Sequence, residues 1–240
     1  NGGQDANTAL GRNNGSEGPF DIFIGDASQV TYDAATNGDF RLKAVPGAPT
    51  SLTINEGAKL TLDSFNTDTD GKWSQFDGDL FLDNGTLKRT FTTPGSTVAG
   101  GALILGSWRS RQNQQIDVNI SNGGRIENDG QVWFGAGEDQ GIGLEVTMTI
   151  NNGHLDLTGG TNAPMTGLVE GDLTFFYDYD DTISAPKGEK YSINFTGSGS
   201  ITVDTAGIYV VTQDSVGNWD GLKNASYLEL WNRGILQANG

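Results

Sequence analysis

Cysteine is absent from the 240 residues, histidine occurs once and proline only 6 times. Without thiols there is no disulfide scaffold, no thiol nucleophile and no Cys-ligated metal. Zero Cys suits an exported β protein as well as a cytosolic one, so it leaves the compartment open. A single histidine excludes a His-rich metal motif. There is also no phosphate-binding loop, dinucleotide fingerprint or nucleophile-elbow serine. No run reaches the about eighteen apolar residues that a membrane-spanning helix needs. Basic residues are scarce as well: 14 Lys and Arg stand against 30 Asp and Glu, a net charge of −16. Such a surface repels nucleic acid and anionic membrane, and a polyanion can bind only at a local basic patch.

The first residues, Asn1-Gly2-Gly3-Gln4-Asp5, have neither the basic start nor the apolar centre of a signal peptide. A secreted, periplasmic or cell-surface chain would therefore have lost its signal already. Residues 1–18 are rich in Gly and Asn and poor in apolar side chains, which predicts an extended lead-in. Residues 19–240 then form one domain, a usual length for an all-β unit.

Glycine is abundant, at 36 residues, and it is placed with a pattern. Period-two segments recur at Leu52-Thr-Ile54, Leu80-Phe-Leu82, Ile116-Asp-Val-Asn-Ile120, Val146-Thr-Met-Thr-Ile150 and Tyr191-Ser-Ile-Asn-Phe195, each the signature of a half-buried strand. Four of them run into a polar-polar-Gly turn: Asn55-Glu56-Gly57, Asp83-Asn84-Gly85, Ser121-Asn122-Gly123 and Asn151-Asn152-Gly153. Thr196-Gly-Ser-Gly199 is a longer relative. A second short strand follows each turn, with Leu60, Leu87, Ile126, Leu155, Ile201 and Leu236 at the inward position. Asn and Gly suit corners that need positive φ and stack polar side chains.

The glycines at 57, 85, 123, 153, 199 and 234 are separated by 28, 38, 30, 46 and 35 residues, the spacing of a repeat with loops of variable length. A third strand occurs at Gly101–Leu105, Gly130–Phe134, Gly171–Phe175 and Gly207–Val211. Three short strands per repeat predict an all-β, single-domain, right-handed parallel β-helix of about six to seven rungs. Alternating strands alone also permit a β-sandwich.

Between Lys88 and Arg125 the basic residues are Lys88, Arg89, Arg109, Arg111 and Arg125, while the only acid is Asp117. Stacking brings residues one repeat apart to about 5 Å. The outward column after the turn reads Lys59, Thr86, Arg125, His154, Ser200 and Ile235, and two positions on it reads Leu62 or Thr61, Lys88, Glu127, Asp156 and Thr202. Arg125 and His154 are then neighbours, with Lys88 one rung away. Trp108 and Trp133 offer apolar platforms of the kind that stack on sugar rings.

Cations gathered this closely favour an acidic polymer as ligand, and a uronic-acid polysaccharide suits a shallow groove. The chemistry that this residue set can perform on it is β-elimination. A cation neutralises the carboxylate, a base takes the adjacent ring proton, and an acid protonates the leaving glycosidic oxygen. Arg109, Arg111 or Arg125 serve neutralisation, and His154, Lys88, Tyr191 or Lys223 proton transfer; Trp133, Lys88, Arg109 and Arg111 contribute substrate binding. Tyr191 falls on the inward side of its strand register, where core packing is the competing role, and Lys223 lies in an irregular region. No cofactor is required.

The C-terminal run from Trp219 through Tyr227-Leu-Glu-Leu-Trp231 to Gly240, following rungs such as Asn-Asn-Gly-His-Leu-Asp-Leu157, resembles the end of small secreted bacterial β-helix proteins that include single-domain alginate lyases. The resemblance covers about the last fifty residues, and the rest only in repeat style. It implies export and β-elimination on alginate, with Tyr and Lys as proton-transfer residues, roles that would fall to Tyr191 and Lys223.

Two other constellations enter. Asn66, Asp68, Asp70 and Asp77, around Gly71 and Ser74, reproduce the ligand spacing of a twelve-residue calcium loop, which makes structural calcium the candidate ion. Glu127 and Asp156 form a carboxylate pair of the type used by glycoside hydrolases. The chain is expected to act as a monomer. The alternatives to a lyase are a non-catalytic surface adhesion or carbohydrate-binding module and, third, a hydrolase.

Overall fold

A computed structural model describes residues 21–33, 40–43, 50–63, 74–90, 103–105, 115–128, 132–135, 145–157, 173–176, 190–203, 208–213, 219–221, 228–231 and 235–238. Among the described residues there are strands and tight corners, and no helix.

The strands come in rotating triplets. The first is β1 (Asp21–Ile24), β2 (Gln29–Asp33) and β3 (Phe40–Lys43); the second is β4 (Ser51–Asn55), β5 (Lys59–Asp63) and β6 (Ser74–Asp77). The third is β7 (Asp79–Asp83), β8 (Thr86–Thr90) and β9 (Leu103–Leu105); the fourth is β10 (Gln115–Ser121), β11 (Arg125–Asn128) and β12 (Val132–Gly135). The fifth is β13 (Glu145–Asn151), β14 (His154–Leu157) and β15 (Leu173–Phe176); the sixth is β16 (Lys190–Thr196), β17 (Ser200–Val203) and β18 (Ile208–Gln213). Last come β19 (Trp219–Gly221), β20 (Leu228–Trp231) and β21 (Ile235–Ala238).

Each member of a triplet joins a different seven-stranded sheet. The first sheet runs β1-β4-β7-β10-β13-β16-β20, the second β2-β5-β8-β11-β14-β17-β21, and the third β19-β18-β15-β12-β9-β6-β3. All described pairings are parallel except β18 with β19. This is not the antiparallel pairing of a β-sandwich.

Alternation decides what each strand buries. In β4 and β5 the pattern is half-buried, buried, half-buried, buried, with Leu52, Ile54, Leu60 and Leu62 inward. The register stacks like on like: Leu60 with Leu87, Leu87 with Ile126, Ile126 with Leu155 and Leu155 with Ile201. Each of these is no more than 3% exposed. Every such Leu or Ile contributes roughly 1.5–3 kcal/mol on leaving water. Val30 shares the column with Leu60 yet stays 40% exposed, because β2 is the outermost strand of its sheet.

The corners follow the polar-Gly pattern with one correction. The residues in register just before the outward column are Ala58, Gly85, Gly124, Gly153 and Gly199, so Gly57 and Gly123 are not the equivalents of Gly85 and Gly153. Those two are the extra residue of a longer corner and hold φ of 76° and 84°. At Gly85 and Gly153 the reason is close approach: a Cβ would run into the carbonyl oxygens of Ile54 and Ile120 respectively. Glu56, Asn84, Asn122 and Asn152 all sit at φ between 51° and 54°, the left-handed region that Asn tolerates. The corners also stack through the main chain. Gly57 N–H donates to Asn84 O at 2.7 Å, Asn84 N–H to Ser121 O at 3.0 Å and Asn122 N–H to Asn151 O at 3.1 Å.

Candidate functional site

The second sheet carries the expected columns, and their described side chains from Lys59 to Ser200 and from Thr61 to Asp156 are half-buried or exposed. Lys59, Thr86, Arg125, His154, Ser200 and Ile235 are successive register partners. Thr61, Lys88, Glu127, Asp156 and Thr202 form the next column, and the choice between Thr61 and Leu62 falls on Thr61 because Leu62 is fully buried. Arg125 and His154 are therefore adjacent, and Lys88 pairs with Glu127 one residue pair away.

The basic segment does not form one strip. Leu87 and Arg89 share the inner face of β8, so Arg89 is only 1% exposed, and its Nη1 donates to Asn128 Oδ1 at 3.3 Å. Arg109, Arg111 and the nearby Trp108 lie outside the described residues. That leaves Lys88 and Arg125 as the members of the cluster on the described outer face, joined there by Lys59.

A carboxylate moderates them. Glu127 follows Arg125 by two residues and so shares its face; Arg125 Nη1 lies 3.5 Å from Glu127 Oε1. Lys59 reaches the other oxygen, Oε2, at 4.0 Å. These side chains are 30–45% exposed, so each pair contributes at most about 1 kcal/mol. His154 Nδ1 lies 2.7 Å from Ser200 Oγ, which fixes the ring against the following strand. Glu127 and Asp156 are direct register partners, as the carboxylate pair requires.

The other candidates are dispersed. Tyr191 is on the first sheet, in register with Val146, which itself pairs with the buried Ile116. Trp133 is on the third sheet, between Ile104 and Thr174. Neither shares a sheet with Arg125 and His154. Lys223 lies outside the described residues, as do Asn66, Asp68 and Asp70. Asp77, the remaining calcium candidate, is 3% exposed at the end of β6, opposite Lys43. Among the described residues no group of three or more His, Asp or Glu could hold a metal ion.

Pattern reading missed a carboxylate pair on the first sheet. Asp117 N–H donates to Asp79 Oδ1 at 2.9 Å. Burial raises the Asp79 carboxyl above its ordinary value of 3.8; that hydrogen bond pulls the other way, and the Asp117 charge adds a push upward. The clue was the outward Asp that precedes each inward apolar residue, at Asp79-Leu80 and Asp117-Val118. With Asp21, Asp83 and Glu145, these residues make the outer face of β1, β7, β10 and β13 acidic.

No family model, curated protein or solved structure matches the chain.

Proposed function

We propose that the three sheets are the faces of one right-handed parallel β-helix of six to seven rungs, and that its second sheet binds an acidic polysaccharide on which the protein, once secreted, acts as a lyase. The observation that carries this reading is the adjacency of Arg125 and His154 on one outward column, with Lys88 on the neighbouring one. A uronate carboxylate laid along the strands meets Arg125, which Glu127 holds in position. His154, oriented by Ser200, is the base for the ring proton beside that carboxylate. Lys88, on the same sheet, is the candidate for protonating the leaving oxygen, with Lys223, outside the described residues, as the other; Tyr191, on the first sheet in register with Val146, is not placed to serve there. The polymer class, with alginate first, rests on the family resemblance and on the cations. This chemistry needs no cofactor, and calcium on Asn66, Asp68, Asp70 and Asp77 would serve loop stability alone.

One observation favours a second reading, a non-catalytic glycan-binding or adhesion module. Glu127 engages both Lys59 and Arg125, which suits holding a polymer weakly more than neutralising a carboxylate in a transition state.

Incubation with alginate, pectate, ulvan and hyaluronan separates the readings. Ultraviolet absorbance from an unsaturated product supports elimination, and new reducing ends without it support hydrolysis by Glu127 and Asp156. Retention on an alginate gel with neither supports binding alone. Absence of all three refutes the polysaccharide reading.

A further inference from the structure

Three of the described corners contain Asn followed by Gly: Asn84-Gly85, Asn122-Gly123 and Asn152-Gly153. This dipeptide can cyclise. The Gly backbone nitrogen attacks the Asn Cγ, the side-chain amide leaves as ammonia, and water opens the resulting succinimide to aspartate or isoaspartate. The glycine places no Cβ in the path of attack. What differs between the corners is how far each pair of reacting groups is already engaged.

At Asn122 both are held. Gly123 N–H donates to Asn152 O at 2.6 Å, and Asn122 Nδ2 donates to Asp83 Oδ1 at 2.7 Å. At Asn152 the side chain is pinned toward its neighbours: Oδ1 accepts from Ser198 N–H at 2.9 Å and from Ser198 Oγ at 3.2 Å, and Nδ2 donates to Asn151 Oδ1 at 3.1 Å. Asn84 is exposed, and its side chain makes no hydrogen bond among the described residues. Its corner is also the short form, in which the Gly85 N–H has no acceptor like the one Gly123 finds in Asn152 O.

We propose that Asn84 is a site of self-modification, converting by cyclisation with Gly85 to aspartate and isoaspartate ahead of the two equivalent corners. The consequence is local. Asn84 lies between two main-chain bonds of the stack, from Gly57 N–H to its carbonyl and from its own N–H to Ser121 O. Isoaspartate inserts a methylene into the main chain between them, and either product places a new charge beside Asp83. The corner then opens between the second and fourth triplets without any loss from the buried core.

The test is ageing of the intact protein in mild alkali, followed by peptide mapping with mass and isoaspartate detection at each corner. The amide-to-acid mass gain is expected first in the Asn84 peptide. Conversion at Asn122 and Asn152 should be at least about tenfold slower, the factor equivalent to about 1.4 kcal/mol of retained hydrogen bonding. The same mapping on Asn122→Ser serves as the folding control, since Asn84 should still convert there. Conversion of Asn122 or Asn152 at the Asn84 rate, or an unmodified Asn84 when the others have turned over, overturns the proposal. The remaining Asn-Gly pairs lie outside the described residues, and mapping reads them separately.

Discussion

Glu127 is the side chain on which the character of the second sheet turns, because it meets Lys59 and Arg125 at once. Glu127→Gln should strengthen retention on an alginate column and make it more sensitive to salt. Its melting temperature should stay close to that of the parent, since these half-exposed pairs stabilise by less than about 1 kcal/mol. If retention weakened instead, Glu127 would be acting as a ligand contact and not as a counter-charge. Asp79 gives a second residue-level prediction. Its folded carboxyl titrates above 3.8, so the folded state holds the proton more tightly than the unfolded chain does. The stability it contributes is complete below 3.8 and is lost as pH rises through the raised value. Asp79→Asn keeps an acceptor for Asp117 N–H and carries no charge. It should remove that acid-range dependence and melt higher than the parent at neutral pH, as thermal unfolding across the acid range would show. A parallel pH profile in the two proteins would contradict the assignment.

Among elements, the corner between a first-sheet and a second-sheet strand is the repeated unit, and it comes in two lengths. Gly153 occupies the short form, where a Cβ would press on the Ile120 carbonyl and side chain. Gly153→Ala should cost about 2 kcal/mol or more, because the Ile120 main chain that the Cβ would meet is held in the stack and cannot move away. Gly57→Ala meets no atom, and its cost is confined to φ of 76°, about 1 kcal/mol. Urea titration of both variants checks the order, and equal losses would mean that close approach is not what selects glycine. The sequence made most of these corners legible, since polar-polar-Gly after alternating apolar residues has few other uses. The first corner escaped: Gly25-Asp26-Ala27-Ser28 lacks that signature, although Asp26 and Ala27 both hold φ of 55°. Its strands β1 and β2 were missed with it, because a repeat is recognised only by comparison with its siblings.

At the scale of the molecule, a charge of −16 is distributed unevenly, with the outer face of β1, β7, β10 and β13 acidic and the second sheet mixed. Self-repulsion of this kind is screened by salt, so the melting temperature should rise between low and moderate ionic strength. A flat or falling curve would mean that ion pairs outweigh repulsion. The proposed coil carries a size as well: seven strands at about 4.8 Å each give a stack of roughly 30 Å, which small-angle scattering can compare with the measured shape.

Alternation and the recurring Gly corner determined by themselves that the described residues are all-β, that the Leu and Ile columns from Leu52 to Ile201 face inward, and that Arg125 and His154 stand together. These follow from local rules, a period of two and a turn that needs glycine, which act within a few residues. Sequence could not determine that Arg89 turns into the core to meet Asn128, that Glu127 holds two cations, or that Asp79 and Asp117 form a pair. Each of those depends on which strand lies alongside and on how far a side chain can reach across it. Loops of unequal length separate the partners along the chain, so only the stacked register brings them together.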